Sequence, residues 1–246
     1  MASPFSLGDY IYAHRGLWSP GGPPENSLAA YHTAANAGFG MEFDVRLSAD
    51  GVPVCFHDAD LKRMAGQDDL VADCTSDMLI QTKLAGTNET VPTLQDLLDI
   101  WPHHLPLLTE IKALDVPPVP VAEAVASLLT RYTGRAAAMS FSVDAVAALP
   151  KTLPRGLLID KTENTGRVPF DKALATALEL QVDYLSVWHT DAEHAASFAR
   201  THGLGLVVWT VTSPEAFVAA APHVDAQIFE GFDPVATLAQ SHPPAI

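Results

Sequence analysis

From residue 105 onward the chain repeats one pattern: a short apolar run, a polar or turn-forming break, then a longer stretch with apolar residues at helical spacing. The runs at 105–112, 136–141, 156–160, 183–188, 204–211 and 224–229 predict strands. The stretches at 119–132, 143–149, 170–180, 192–202, 214–221 and 234–240 predict the helices that follow them. Near-continuous apolar strands alternating with helices imply a parallel sheet covered on both faces.

The earlier part of the chain carries the same alternation and then breaks it. Residues 9–14 read as a strand with Tyr10, Tyr12 and His14 on one face, and Gly16 permits a sharp turn after Arg15. A rigid loop containing Pro20, Pro23 and Pro24 leads to Asn26 or Ser27, either of which can cap a helix at 28–37 that Gly38 ends. Residues 41–47 follow as a strand, Ala49-Asp50-Gly51 as a turn, and 52–56 as a second extended run. The gap is too short for a parallel crossover, which needs about a dozen residues, so these runs form a hairpin that returns His57 beside Phe43 and Asp44. Residues 59–91 lose periodicity, which predicts a small insertion or lid over about 59–92. Helical spacing resumes at 93–101 through Leu94, Leu97, Leu98 and Trp101.

Eight parallel strands result, with the returning arm of the hairpin left over, and about eight is the number that closes a barrel filled by side chains. The expected architecture is therefore α/β: a TIM (β/α)8 barrel with a β-hairpin after strand two and a small insertion, in a single catalytic domain over 1–246. An open doubly wound sheet is the competing arrangement, but no Gly-x-Gly-x-x-Gly loop follows the first strand.

Composition narrows the choice of partners. Lys plus Arg number 14 against 29 Asp plus Glu, a formal charge of -15, so the surface repels nucleic acid and anionic lipid. A small anion is still accommodated where a metal and a few basic groups reverse the sign locally. The N-terminus has neither a basic start nor a long apolar run, and no run of about twenty apolar residues occurs elsewhere. A cytoplasmic protein with no stable membrane association is expected. Cys55 and Cys74 have neither redox nor zinc spacing and are expected to be buried or partly buried thiols.

Catalytic groups of such a barrel sit at the carboxyl ends of its strands. That rule selects His14 and Arg15 from the first strand, Glu42 and Asp44 from the second, Glu110 and Lys112 from the third, and Trp209 near the end of the seventh. Two residues apart on a strand, Glu42 and Asp44 face the same way, and like charges so placed need a cation. Three carboxylates at one mouth are oxygen ligands for a hard divalent ion, Mg2+ or Ca2+, whereas zinc would draw more on histidine or cysteine. Arg15 and Lys112 suit a phosphate oxygen, and His14 and His57 supply an acid and a base. Together they describe metal-assisted phosphodiester cleavage.

The ordered set His14-Arg15-Gly16, Pro24-Glu25-Asn26-Ser27, Glu42-Phe43-Asp44-Val45, Asp50-Gly51 leading to His57-Asp58, Glu110-Ile111-Lys112, Ser140-Phe141 and Trp209-Thr210-Val211 resembles the glycerophosphodiester phosphodiesterase family over nearly the full length. The resemblance implies a TIM barrel, a divalent metal held by Glu42, Asp44 and Glu110, acid and base roles for His14 and His57, and phosphate contacts from Arg15 and Lys112. It implies hydrolysis of a small glycerophosphodiester to glycerol 3-phosphate and an alcohol, either by direct attack of water or through a cyclic phosphate. It also inclines Trp209 towards substrate contact. Glu25, Asn26 and Asp58 are expected behind the reacting groups, with Asp58 positioning the His57 loop. Two departures stand out: Ile228-Phe229-Glu230-Gly231-Phe232-Asp233-Pro234 stands where the family usually has a Thr-Asp pair before a proline, and Thr212 where it commonly has asparagine. Two other readings stay open, a phospholipase-like phosphodiesterase of the same barrel type and a barrel that binds a phosphodiester without cleaving it.

Overall fold

The computed structural model describes residues 6–161 and 169–241. Strands β1 (Tyr12–His14), β2 (Gly40–Leu47), β3 (Pro53–Cys55), β4 (Leu107–Ile111), β5 (Ala136–Ser140), β6 (Arg155–Ile159), β7 (Tyr184–Trp188), β8 (Gly205–Val211) and β9 (Ala226–Phe229) form one sheet in the order β1-β9-β8-β7-β6-β5-β4-β2-β3. β1 pairs in parallel with both β9 and β2, so eight parallel strands close into a TIM barrel. β3 hangs from β2 as the antiparallel arm of a hairpin, with Val45 opposite Cys55.

The helices are α1 (Leu28–Asn36), α2 (Lys62–Ala65), α3 (Ser76–Leu79), α4 (Leu94–Ile100), α5 (Pro118–Leu129), α6 (Val143–Ala148), α7 (Phe170–Leu180), α8 (Ala192–His202), α9 (Pro214–Ala220) and α10 (Pro234–Ser241). Hydroxyl caps start several of them: the side chains of Ser27, Thr93, Ser142 and Ser213 accept from the backbone N–H three residues on, each worth about 1 kcal/mol. The cap of α1 is thus Ser27 and not Asn26, which is free for other contacts. No helix among the described residues is long and apolar enough to cross a membrane.

Two apolar layers result. The larger packs the outward strand residues, such as Phe43, Val45, Val187 and Val208, against the helices. The smaller fills the barrel with Tyr12, Leu108, Met139, Leu158, Tyr184 and Ile228. Gly156 makes room for this filling: a Cβ there would lie 2.3 Å from the Tyr184 ring, whose hydroxyl crosses to donate to the Ala138 carbonyl at 3.2 Å.

Two expectations need correction. Residues 7–9, of which Asp9 was expected to open the first strand, form a 3-10 turn, because pairing with both neighbours begins only at Tyr12, opposite Gly40 and Ile228. The aperiodic stretch after β3 is not open loop: Leu61, Met64, Val71, Cys74, Leu79, Leu84 and Val91 form a small core of their own with Val54 and Phe56. Its apolar residues come from several short turns, so no single period runs through them. Cys55 and Cys74 are both buried free thiols. Residues 1–5, on which the reading of the N-terminus partly rests, lie outside the described residues.

Candidate active site

Strand register decides which side chains meet at the barrel mouth. β1 sets His14 opposite Glu42, and β4 sets Glu110 opposite Asp44. Because residues alternate along β2, Glu42 and Asp44 point inward while Phe43 and Val45 join the outer core. One carboxylate oxygen from each of Glu42, Asp44 and Glu110 lies within 4.8 Å of the others. All three side chains are buried.

Three buried carboxylates at this spacing cannot all stay charged unaided. Burial, then the fields of Asp44 and Glu110, push the Glu42 carboxyl well above its ordinary range. Burial acts the same way on Asp44, but Arg15, Lys112 and both histidines outweigh it and hold this carboxyl ionised, far below its usual value. Asp44 Oδ1 is buried without a hydrogen bond, its nearest cation being Lys112 Nζ at 3.5 Å. An oxygen-only donor set with an orphaned buried oxygen and a surplus of negative charge fits a hard divalent cation.

The turn after β1 is built for this contact. Arg15 and Gly16 both have positive φ, 56° and 83°, and a Cβ at position 16 would sit 2.9 Å from Ala30. The strained backbone lets the Arg15 N–H donate to Glu42 Oε2 at 3.2 Å. The Arg15 guanidinium reaches Glu25 Oε1 at 2.8 Å and Asp44 Oδ2 at 3.1 Å. Asn26, also at positive φ and buried, donates to Asp44 Oδ2 at 2.9 Å and accepts from the Tyr31 hydroxyl at 3.2 Å. Glu25 and Asn26 therefore stand behind Arg15 and Asp44. Lys112 donates to Glu110 Oε1 at 2.8 Å.

Each histidine has a carboxylate at Nδ1. The hairpin carries His57 back to the mouth, through Phe56 N donating to Asp44 O at 3.1 Å, and Asp58 Oδ1 lies 2.6 Å from His57 Nδ1. Glu230, just past β9, places Oε2 2.6 Å from His14 Nδ1. His14 Nε2 lies 3.8 Å from Glu42. Burial lowers the His57 pKa below its ordinary value, with Asp44 and Asp58 pulling the other way.

His14, Arg15, His57, Glu110, Lys112 and Trp209 line one cavity of about 520 Å3. Trp209 forms its wall, edge-on to Phe141 and Trp188, and donates to the Ser186 carbonyl at 3.2 Å. Every residue singled out in the sequence is thus in or directly behind one mouth. Three more belong to it. Arg46 lines the cavity, donating to the His57 carbonyl at 2.8 Å and to both oxygens of Asp115. Glu230 and Arg63, the latter from α2, hold carboxylate or histidine partners of the site. The strand-end rule that picked His14 also picks Glu230 and points at Arg46, two residues beyond Asp44 on the same face; nothing in the aperiodic segment marks Arg63.

A family model for the glycerophosphoryl diester phosphodiesterase family matches residues 14–231. Among curated proteins, an uncharacterised protein of Mycobacterium tuberculosis is 29% identical over 221 residues, covering 79% of this chain and 71% of that one. Among solved structures, the glycerophosphodiester phosphodiesterase of Thermotoga maritima aligns with a TM-score of 0.76 at 27% identity, over 95% of this chain and 98% of that chain. A phosphodiesterase of Oleispira antarctica, solved in complex with the product sn-glycerol-3-phosphate, aligns with a TM-score of 0.77 at 23% identity, over 94% and 95%.

Proposed function

The chain belongs to the glycerophosphoryl diester phosphodiesterase family, and on that footing we propose that it hydrolyses small glycerophosphodiesters to glycerol 3-phosphate and an alcohol with a divalent cation and two histidines. The observation that carries the reading is the convergence of Glu42, Asp44 and Glu110 beside two carboxylate-backed imidazoles.

Glu42, Asp44 and Glu110 would hold the cation, Mg2+ or Ca2+. When bound, it would offset negative charge building on the phosphoryl oxygens. Arg15 and Lys112 bring two further positive charges to the same cavity; burial alone would weaken both cations, but the carboxylates around them more than compensate and keep them protonated. Asp58 and Glu230 each accept an Nδ1–H, which leaves Nε2 of either ring for proton transfer. His57, held neutral by burial, suits the base: it takes the proton of the attacking oxygen as the new P–O bond forms. His14 then gives a proton to the alcohol oxygen as the old P–O bond breaks. Trp209 offers a flat apolar wall against which the carbon skeleton of the substrate packs.

Purified protein incubated with glycerophosphocholine, glycerophosphoethanolamine and glycerophosphoglycerol is expected to release glycerol 3-phosphate from at least one. Release from none, with either metal present, rejects the reading.

A further inference from the structure

We propose that Arg63, carried by the segment between β3 and α4, is a positioning residue that sets His57 and Arg15 together by clamping the carboxylates behind them. This rests on the reading above, in which His57 moves a proton and Arg15 binds phosphate.

The guanidinium bridges two parts of the chain, the loop that carries Glu25 and the turn that carries Asp58. Its Nε donates to Asp58 Oδ2 at 2.6 Å, while Nη2 and Nη1 donate to Glu25 Oε1 and Oε2 at 2.7 and 2.8 Å. Each carboxylate also holds a residue of the site: Asp58 through its other oxygen, Oδ1, to His57 Nδ1 at 2.6 Å, and Glu25 through Oε1, which Arg63 shares, to Arg15 Nη1 at 2.8 Å. A continuous chain of polar and charged contacts therefore runs His57, Asp58, Arg63, Glu25, Arg15, Asp44. Only a planar fork reaches both carboxylates at once; a lysine ammonium meets them as a point charge.

The small core described above gives the fork a fixed mount. Leu61 and Met64 flank Arg63 and are buried in it, and Ala85 N donates to the Met64 carbonyl at 2.6 Å. Arg63 itself is half exposed, 47% by side chain. Its Glu25 partner is buried and the pair is bidentate, so solvent screens it only in part and the clamp holds its geometry. A misplacement of about 1 Å at a reacting group can cost roughly 100-fold in rate, which makes the position of His57 and Arg15 the quantity to measure.

The test compares wild type, Arg63→Ala and Arg63→Lys in kinetics and by NMR of the His57 Nδ1–H proton, assigned with His57→Gln. In Arg63→Ala that exchange-protected resonance is expected to disappear and kcat/KM to fall roughly 10- to 100-fold, with both kcat and KM altered. Arg63→Lys recovers part of the rate. Added guanidinium restores part of the Arg63→Ala rate and none of the His57→Gln rate, which a purely structural loss would not show. If both variants keep the resonance and the wild-type kcat/KM, the inference is overturned. A wild type that binds metal but turns over no glycerophosphodiester, while Arg63→Ala still loses the resonance, instead removes the reaction and leaves the clamp.

Discussion

Glu230 Oε2 sits 2.6 Å from His14 Nδ1 across a separation of 216 residues. Barrel closure makes the contact, because β9 pairs with β1 and sets Phe229 opposite Ala13. The hydrogen bond from His14 keeps the Glu230 carboxyl below its ordinary range against the opposing effect of burial, so it stays an acceptor at neutral pH. Replacing Glu230 by Ala is expected to lower kcat roughly 10- to 100-fold with little change in KM, and Glu230→Gln less, because the amide oxygen still accepts. Steady-state kinetics on one glycerophosphodiester decides it; an unchanged kcat in Glu230→Ala removes the residue from the mechanism.

His14→Ala and His57→Ala should each lose the contribution of an acid–base group, roughly 100- to 10,000-fold in rate. Circular dichroism of both variants establishes that they fold. A rate near wild type in either one reassigns that histidine.

His57 is buried, which disfavours its cation and moves its pKa below the ordinary 6.5. As a base it works in the neutral form, so the acid limb of kcat/KM should rise with a midpoint below 6.5. The bond to Asp58 favours the cation, so Asp58→Asn should shift this midpoint further down while lowering the plateau. A pH–rate profile whose midpoint moves up in Asp58→Asn contradicts the assignment.

Asn26 is buried at positive φ and bonds both Asp44 and the Tyr31 hydroxyl. Asn26→Ala removes the hydrogen bonds to Asp44 and to the Tyr31 hydroxyl, a loss of about 1 to 3 kcal/mol, and adds about 1 kcal/mol of backbone strain. Urea unfolding of the two proteins measures it. A difference below about 0.5 kcal/mol, the size of an ordinary surface change, makes the contacts incidental.

Much of the barrel is legible in the sequence because each strand is a short apolar run and each helix carries its own spacing and often its own hydroxyl cap. Glu42 and Asp44 were readable for the same reason: alternation along one strand fixes their common face, and the turn at Asp50 returns His57 to them. The hidden contacts belong to closure and to irregular backbone. Glu230 meets His14 only once the last strand joins the first, and Arg63 reaches Asp58 and Glu25 from a segment held by a core with no period. Asn26 and Ser27 read equally well as the helix cap; Ser27 takes that place, and a left-handed backbone turns Asn26 inward.

The cluster of Glu42, Asp44 and Glu110 is tested most directly by measuring glycerol 3-phosphate release after exhaustive dialysis against EDTA, then after adding back Mg2+ or Ca2+. Turnover should vanish on chelation, return with one of the two ions, and fail to return in Asp44→Asn. Full activity in the chelated wild type would contradict the account.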